Sequence, residues 1–398
     1  MEKVKFGIIG FGVQGSSYSG FLAGRPKPDG PQADCPEHGM LGAICDVDEE
    51  KEKEAKRLFP EYPFFKNWKD MVDSKTVDAV ITTVPHYLHP EIAIYCLEHG
   101  MNVLVEKPAG VYTKQVLEMN TCAEKHTDVA FGIMFNQRTN KLYQKVKEIV
   151  ESGELGEIRR SSWMINSWWR PDSYYRQSEW RATWGGEGGG VLVNQAPHQL
   201  DLWQWICGVP VKVYAKCIFG AHRQILVEND VTVLTEYENG STGSFITCTH
   251  DPIGTDRLEI DLSGGKIVVD KSREITVYKL KKNESELNET VLMKELSKLV
   301  ADNSGEKNEL YEVTTIVNHE GWGYQHVEVM ENFARHVLYK EPLLASGSHG
   351  IHGVRLANAC LMSSWLNKEI TMPFDDNQYL LELNKRIREE GKFPEREI

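Results

Sequence analysis

Residues 4–15 read VKFGIIGFGVQG, an apolar run from Val4 to Ile9 followed at once by the glycine pattern Gly10-Phe-Gly12-Val-Gln-Gly15. The run predicts a buried strand, and the glycines lie where that strand would turn into a helix. The first glycine permits a tight turn, the second lets the backbone approach a pyrophosphate, and the third allows close helix packing. The stretch predicts a dinucleotide-binding loop; the alternative is a glycine turn without a ligand.

Asp46 ends the second apolar run, in the segment AICDVD. A carboxylate at this point accepts hydrogen bonds from both ribose hydroxyls and repels a 2′-phosphate, which favours NAD over NADP. Gly15 and Asp46 are 31 residues apart, more than the usual spacing of about 20. The Pro- and Gly-rich segment 25–39, predicted to be a surface loop, accounts for the excess. Asp48 is a weaker candidate for the ribose.

The first third of the chain alternates apolar runs with helix-period stretches, the pattern of βαβ units around a parallel sheet. Helices are expected near residues 49–58, 90–99 and 113–126. Strands are predicted at Val4–Ile9, Leu41–Cys45, Ala79–Thr83, Asn102–Val105 and Val129–Phe131.

After about residue 135 the sequence pattern changes to segments that alternate apolar and polar residues. Such segments predict an antiparallel sheet with one covered face. Residues 281–310, charged and irregular with a short helix around 289–300, are interpreted as an insertion. We expect two domains, 1–133 and 134–398, with C-terminal helices at Gln325–Tyr339 and Gly350–Leu366 packing back on the sheet. The predicted second-half strands are Val211–Phe219, Val231–Tyr237, Gly243–Thr249, Arg257–Leu262 and Lys266–Val269.

Composition narrows the class of protein. The 398 residues carry a formal net charge of −13, and an acidic surface disfavours nucleic acid as a partner. No window approaches the roughly 18 uncharged apolar residues of a spanning helix, and the start lacks the pattern of a signal peptide, so we expect a cytoplasmic protein with no membrane partner. The eight cysteines include no C-x-x-C pair, which favours buried, reduced thiols.

Two segments carry candidate chemistry. Glu106-Lys107-Pro108 directly follows a predicted strand, at the sheet edge where such folds bind ligands. A lysine beside a cofactor there can have a lowered pKa and exchange protons, whereas the alternative is a solvated surface lysine. Farther on, the glycine run 188–190 leads into a predicted helix, on which Asn194 and His198 would share one face. A histidine satisfied within the core is the alternative for His198.

Together, the segments GIIGFGVQG, AICDVD, VLVEKPAG and GGGVLVNQAPHQLDLWQW resemble the glucose-fructose oxidoreductase / inositol dehydrogenase family, Gfo/Idh/MocA. The resemblance implies an α/β N-terminal Rossmann domain, an α+β C-terminal domain with a large open, mostly antiparallel sheet, and NAD between them. Lys107 and His198 match the family's catalytic lysine and histidine. Asn194 falls where many members have aspartate, and an asparagine can orient a hydroxyl but cannot take a proton.

The resemblance also implies the remaining site residues. Tyr174, Trp168 and Asn136 are candidates for substrate contact, with core or subunit packing as the alternative for the aromatic residues. No metal is expected, because His86 and His89 have no third ligand nearby. The candidate cofactor-binding residues are Gly10, Phe11, Gly12, Val13, Gln14, Gly15, Asp46, Thr83, Pro85, His89, Glu106, Lys107, Asn136, Trp180 and Arg181.

The leading functional hypothesis is an NAD-dependent oxidoreductase that oxidises a secondary ring hydroxyl of a sugar, glycoside or inositol, or reduces the ketone. A glycoside 3-oxidoreductase that retains and recycles NAD is one alternative. A non-catalytic NAD(H)-binding sensor, which the asparagine at 194 makes conceivable, is another. The open sheet leaves one face to be covered, so a homodimer or homotetramer is expected.

Overall fold

The computed structural model describes residues 2–25, 34–302, 310–318 and 323–397. These residues form a parallel sheet in the first third of the chain and a larger mixed sheet in the rest. No helix within these ranges is long and apolar enough to cross a membrane.

The first sheet has six strands in the order β3-β2-β1-β4-β5-β6, and every adjacent pair is parallel. This is the strand order of the doubly wound dinucleotide-binding fold, in which ligands bind at the carboxyl ends of the strands. The strands are β1 (Val4–Ile9), β2 (Gly39–Cys45), β3 (Phe64–Phe65), β4 (Ala79–Thr82), β5 (Asn102–Val105) and β6 (Phe131–Ile133). The connecting helices are α1 (Val13–Leu22), α2 (Glu49–Leu58), α3 (Trp68–Asp73), α4 (Leu88–Glu98) and α5 (Thr113–Lys125).

The second sheet has nine strands in the order β14-β13-β12-β11-β7-β10-β9-β8-β15. It is antiparallel except for the pair β7 and β10, so the expected large, mostly antiparallel sheet is confirmed. The strands are β7 (Ile158–Ile165), β8 (Lys212–Phe219), β9 (Glu228–Glu236), β10 (Thr242–Cys248), β11 (Asp256–Leu262), β12 (Gly265–Asp270), β13 (Glu274–Leu280), β14 (Tyr311–Val317) and β15 (Ile370–Thr371).

Helices cover one face of this second sheet. Buried side chains of α6, α8, α12 and α13 pack against the inward-facing strand residues in a single core cluster, in which Trp163 and Trp203 are fully buried. A short 3₁₀ turn, Asn136–Thr139, leads out of the first sheet. The helices are α6 (Lys141–Glu151), α7 (Asp172–Tyr175), α8 (Pro197–Cys207), α9 (Glu284–Thr290), α10 (Met293–Asp302), α11 (Tyr324–Tyr339), α12 (Gly350–Leu366) and α13 (Asp376–Glu390).

Helix α11 returns to the first sheet. Its Met330 and Phe333 are buried in the same cluster as Val4 and Phe6 of β1, and the rings of Phe6 and Phe333 lie 6.1 Å apart. Apolar residues at this spacing bury one face of the helix, which brings the start of α11, and with it His326, toward the carboxyl edge of the first sheet.

Several predicted boundaries were wrong. The strand predicted at Val129–Phe131 is Phe131–Ile133, because Val129 closes a turn after α5 through a hydrogen bond to the His126 carbonyl oxygen. The helix expected around 289–300 is divided into α9 and α10. Segment 25–39 is described only at 25 and 34–39, with β2 already beginning at Gly39, and within 281–310 residues 303–309 lie outside the described residues. Strands β7, β13 and β14 and helix α13 were not predicted.

Candidate active site

The glycine loop joins β1 to α1 in a conformation that the glycines make possible. Gly10 has φ +97°, and a Cβ there would lie 2.6 Å from the Thr83 carbonyl oxygen. A Cβ on Gly15 would lie 1.9 Å from the Gly10 carbonyl oxygen. A Cβ on Gly12 would meet no atom within 4 Å. Gly10 and Gly15 therefore build the loop, whereas Gly12 leaves open space at the start of the helix.

That open space suits the pyrophosphate of a dinucleotide. Gly12 is the N-cap of α1, no side chain caps it, and the first turn contains no acidic residue. Unpaired backbone amides and the positive end of the helix dipole attract an anion at such a position. The residues present thus fit NAD on the geometry of the loop itself.

Asp46 lies directly after β2, beside this loop. Its Oδ2 accepts the Phe11 backbone N–H at 2.6 Å, and its Oδ1 accepts that of Asp48 at 2.9 Å. A carboxylate has about four acceptor sites, so both oxygens keep capacity for ribose hydroxyls. The competing Asp48 is the N-cap of α2, where it accepts the Glu50 N–H at 2.7 Å. The geometry favours Asp46 over Asp48 for the ribose.

Several other predicted cofactor residues are packed or hydrogen-bonded within the protein around the glycine loop. Phe11 is fully buried with its ring against Phe59, and the Thr83 hydroxyl donates to the Gly10 carbonyl oxygen at 2.6 Å. Gln14 is half-buried and interacts with the Tyr18 hydroxyl. Val13, by contrast, is 85% exposed at the start of α1. Pro85 is half-buried in the turn that leads into α4, where its carbonyl accepts the N–H of the first helical residue.

His89 was predicted to bind the cofactor, but the structure uses its ring differently. The ring is 1% exposed, with Nδ1 2.7 Å from the Pro108 carbonyl oxygen and Nε2 2.9 Å from that of Val84. Burial lowers the pKa of His89 to about 4. Both ring nitrogens face backbone carbonyl oxygens, and the neutral ring donates its single N–H to one of them, so His89 lies between the turn after β4 and the segment after β5. His86 similarly approaches the Glu187 carbonyl oxygen at 3.1 Å through Nδ1.

Lys107 follows β5, as predicted. The Glu106 side chain beside it is buried and accepts hydrogen bonds from the Tyr18 hydroxyl and, at 2.9 Å, from the Lys107 backbone N–H. Lys107 Nζ donates to the Asn194 backbone carbonyl oxygen at 2.9 Å. Burial lowers the pKa of Lys107, and the opposing charges of Glu106 and Glu187 only partly offset this. The lysine is half-buried at the carboxyl edge of the sheet, not on the solvated surface.

Asn194 and His198 do not share a helix, contrary to the sequence prediction. Helix α8 begins at Pro197, because proline fits the first helical position but cannot donate a hydrogen bond inside a helix. Asn194 lies in the turn before it. Its side-chain amide donates to Glu187 and approaches the Tyr174 hydroxyl at 3.3 Å.

His198 and Asn136 each carry a buried polar atom without a partner among the described residues, Nδ1 of His198 and Oδ1 of Asn136. The Asn136 amide nitrogen lies 3.1 Å from His326 Nε2. Burial, followed by the charge of Lys107, lowers the pKa of His198 well below its usual value. Buried polar groups are nearly always paired in native proteins, so these two atoms mark places where a bound molecule would complete the site.

The predicted aromatic site residues, Trp168, Tyr174 and Trp180, lie in two different environments. Arg181 stacks on Trp180 and on Tyr174, with its guanidinium carbon 4.9 Å and 4.6 Å from the ring centres, and it donates to the Tyr174 hydroxyl at 2.7 Å. Trp180 also contacts the ring of His86. Trp168 packs against the core cluster of the second sheet, which is the packing alternative.

Sequence reasoning missed three residues of this site. Glu187 is 2% exposed between Arg181 and Asn194, and its position inside a glycine-rich run was a usable signal. Tyr18 holds Glu106, and His326 packs against Tyr18 with ring centres 5.7 Å apart. No local pattern marked the last two, because α1 and α11 meet only in the folded chain.

Two family models match two successive parts of the chain. Residues 4–133 match a family model described as "Oxidoreductase family, NAD-binding Rossmann fold", and residues 143–268 match "GFO/IDH/MocA C-terminal domain". Myo-inositol 2-dehydrogenase of Thermotoga maritima is 25% identical over 332 residues, which are 81% of this chain and 88% of the relative. Levoglucosan dehydrogenase of Pseudarthrobacter phenanthrenivorans is 26% identical over 208 residues, 52% of each chain.

Solved structures share the fold. The WlbA dehydrogenase from Bordetella pertussis, in complex with NADH and UDP-GlcNAcA, matches with a TM-score of 0.73 at 23% identity, covering 94% of this chain and 100% of that one. A levoglucosan dehydrogenase in complex with NADH and L-sorbose matches with a TM-score of 0.77 at 19% identity and the same coverage. At these identities the likeness supports the whole fold, both domains included.

Proposed function

The chain belongs to the Gfo/Idh/MocA family of NAD-binding oxidoreductases, and from this premise we propose that it oxidises a secondary ring hydroxyl of a sugar, glycoside or inositol, or reduces the corresponding ketone. The observation that carries the proposal is the placement of Lys107. Its ammonium group lies at the carboxyl edge of the NAD-binding sheet, fixed by the Asn194 carbonyl oxygen, with a lowered pKa. The relatives named for inositol and levoglucosan support the substrate class.

The glycine loop and Asp46 would hold NAD, which would supply the acceptor for the hydride that leaves the carbinol carbon. A residue of the chain accepts the proton of the substrate hydroxyl in this proposal. As a neutral amine, Lys107 Nζ can donate to the Asn194 carbonyl oxygen and still accept the proton of the substrate hydroxyl through its lone pair. The substrate thus loses one hydride and one proton as its C–OH becomes C=O.

His198 and Asn194 orient the hydroxyl in this proposal. The lowered pKa keeps His198 neutral near pH 7, so its ring can accept or donate a hydrogen bond without carrying charge. The Asn194 side chain, held by Glu187, cannot itself take a proton. Proton acceptance is therefore assigned to Lys107 alone. Tyr174 and Asn136 are proposed to contact the ring substrate, and Trp180 and Arg181 the cofactor.

The test is NAD reduction over a panel of inositols, free sugars and glycosides with wild type and Lys107→Ala. We expect the variant to bind NADH normally and to lose about 10²- to 10⁴-fold in kcat, the usual range for a general base. Lys66→Ala, which removes an exposed lysine paired with Glu52, is the matched control and should not change kcat. Normal turnover by Lys107→Ala would refute the assignment. NADH binding without NAD reduction on any substrate would favour a glycoside 3-oxidoreductase that recycles bound NAD, or a sensor.

We further propose the domain division 1–133 and 134–398, a cytoplasmic location and a homo-oligomer. The strand register places Met164, Tyr214, Leu234 and Val313 on one face of the second sheet, opposite the helices, and all four are exposed. Charged residues such as Arg160, Asp261 and Lys266 lie on the same face, and a mixed polar and apolar face of this kind supports a subunit interface in this proposal. All eight cysteines are free thiols, which supports a reducing compartment.

A further inference from the structure

Glu187 is a buried carboxylate inside the glycine-rich turn 185–190, and the sequence resemblance assigns it no role. Three groups hold it. The Ala182 backbone N–H donates to Oε2 at 2.6 Å, the Arg181 guanidinium lies 3.7 Å from Oε1, and the Asn194 side-chain amide donates to Oε1. Both carboxylate oxygens are contacted, Oε2 by Ala182 and Oε1 by Arg181 and Asn194, and these contacts fix the orientation of the carboxylate.

Asn194 connects Glu187 to Lys107. Glu187 holds the side-chain end of Asn194, and the Lys107 ammonium group donates to the backbone carbonyl of the same residue at 2.9 Å. No direct ion pair between the lysine and Glu187 occurs within the described ranges. The turn that carries Asn194 is therefore fixed at one end by Glu187 and touches Lys107 at the other.

We propose that Glu187 is a positioning residue for the oxidation: it holds Asn194 in the place where Asn194 fixes Lys107, and its charge sets the pH at which Lys107 becomes a base. The inference rests on the proposed function, since it gives Glu187 a task in the same proton transfer. Glu187 does not touch the reacting atoms. It acts through Asn194 by contact and on Lys107 by its field.

The charges around Lys107 show why this carboxylate matters. Glu106 and Glu187 raise the pKa of Lys107, while Arg181 and Arg170 lower it in addition to burial. The nearby rings of His86, His89, His198 and His326 all have lowered pKa values, so they add little positive charge near neutral pH. Glu106 is already bound by Tyr18 and the Lys107 backbone. Burial raises the pKa of Glu187 to about 7. Above this pH, where Glu187 is ionised, removing its charge leaves the guanidinium groups of Arg181 and Arg170 opposed by Glu106 alone.

A second buried carboxylate, Glu228 of β9, binds the same glycine-rich segment and provides a control. Glu228 is fully buried and accepts the N–H groups of Gly190 at 2.8 Å and Leu192 at 3.0 Å. Burial raises the pKa of Glu228 to about 7, as it does for Glu187. Glu228 has no hydrogen bond to Asn194 in the described part of the chain, and it is not among the charges acting on Lys107. Both glutamates are buried and bound to backbone N–H groups, but only Glu187 also contacts Asn194 and Arg181 in the described part of the chain.

The experiment measures the pKa of Lys107 in the free protein, by limiting acetylation with acetic anhydride at a series of pH values and mass spectrometry of the Lys107 peptide. Glu187→Gln should lower this pKa by about one unit, the effect expected for removing one nearby charge from a partly buried site. The acidic limb of the pH profile of kcat/KM should move by the same amount. Glu187→Asp should restore the wild-type limb, and Glu228→Gln should leave it unchanged.

Asn194→Ala separates position from charge. It keeps Glu187 and Lys107 but removes the side-chain link. Because Asn194 is also proposed to orient the hydroxyl, a fall in kcat of about tenfold is expected in either case, and the deciding readout is the acidic limb, which should not shift. An unchanged Lys107 pKa in folded Glu187→Gln, or an equal shift in Glu228→Gln, would overturn the inference even if turnover is normal. If Glu187→Gln lowers the pKa of Lys107 but wild type turns over no substrate, the proposed function is wrong and the effect of Glu187 on Lys107 is still supported.

Discussion

Gly12→Ala should impair NAD binding without unfolding the protein. Gly12 has φ −74° and ψ −160°, which alanine adopts without strain, and a Cβ there would meet no protein atom within 4 Å. Losing an N-cap glycine and stiffening the unfolded chain have opposite signs, each within about 1 kcal/mol, so the free energy of unfolding should barely change. The new methyl group would occupy space that the pyrophosphate needs. Overpacking of this kind costs about 1–3 kcal/mol, or about 5- to 150-fold in Kd.

The assay is a fluorescence titration of NADH, paired with urea unfolding of the same preparations. Gly15→Ala is the matched comparison, because its Cβ would lie 1.9 Å from the Gly10 carbonyl oxygen and the loop itself would have to move. We expect Gly15→Ala to lose both stability and binding, and Gly12→Ala to lose binding alone. Unaltered NADH affinity in folded Gly12→Ala would show that the pyrophosphate does not lie at this helix terminus.

Two further predictions concern stability. Asp201→Asn breaks a buried ion pair, in which Arg138 donates to the two carboxylate oxygens at 2.8 and 2.6 Å and the two side chains are 4% and 1% exposed. Urea unfolding should show a loss of stability of about 3 kcal/mol, toward the lower end for buried pairs because Arg138 keeps a contact with His349. A loss below about 1 kcal/mol, as for an exposed pair, would contradict the buried geometry. Glu228 has a pKa of about 7 in the folded protein, raised by burial above its ordinary value of 4.5, so between these values the folded state binds more protons and this group's contribution to stability falls as pH rises. Buried histidines with lowered pKa values change stability with pH in the opposite direction. The quantity to measure is therefore the difference in the free energy of unfolding between wild type and Glu228→Gln, which should change by about 1.4 kcal/mol per pH unit between about pH 5 and pH 7. A constant difference would mean that Glu228 is ionised throughout this range.

The parallel half of the fold could be predicted from the sequence because its signals are local. Val4–Ile9 and the glycines after it mark a strand and a turn within twelve residues, and β1 has the predicted bounds. Strand β7 was missed for the opposite reason. Its segment, IRRSSWMI, mixes arginines with apolar residues and gains its place only by lying between β10 and β11, which come from far along the chain.

The site followed the same division. Lys107, Asp46 and the glycines were found because each follows a strand of the parallel sheet directly. Asn194 was placed on a helix because spacing alone does not show where a helix begins, and Pro197 decides that boundary. His89 was predicted to bind the cofactor because its segment resembles a cofactor loop of the family, but the sequence does not show that its ring nitrogens face the carbonyl oxygens of Val84 and Pro108.

A path of fixed contacts joins the cofactor loop to the proposed base. Helix α1 begins at Val13, directly after its N-cap Gly12, and carries Tyr18, whose hydroxyl donates to Glu106. The other oxygen of Glu106 accepts the backbone N–H of Lys107, and the Lys107 ammonium group reaches the Asn194 carbonyl oxygen. Because buried hydrogen bonds resist displacement, a shift of α1 would be transmitted to the lysine. The arrangement gives the buried Glu106 a role beside Lys107: it fixes the proposed base relative to the helix terminus that is proposed to bind the pyrophosphate.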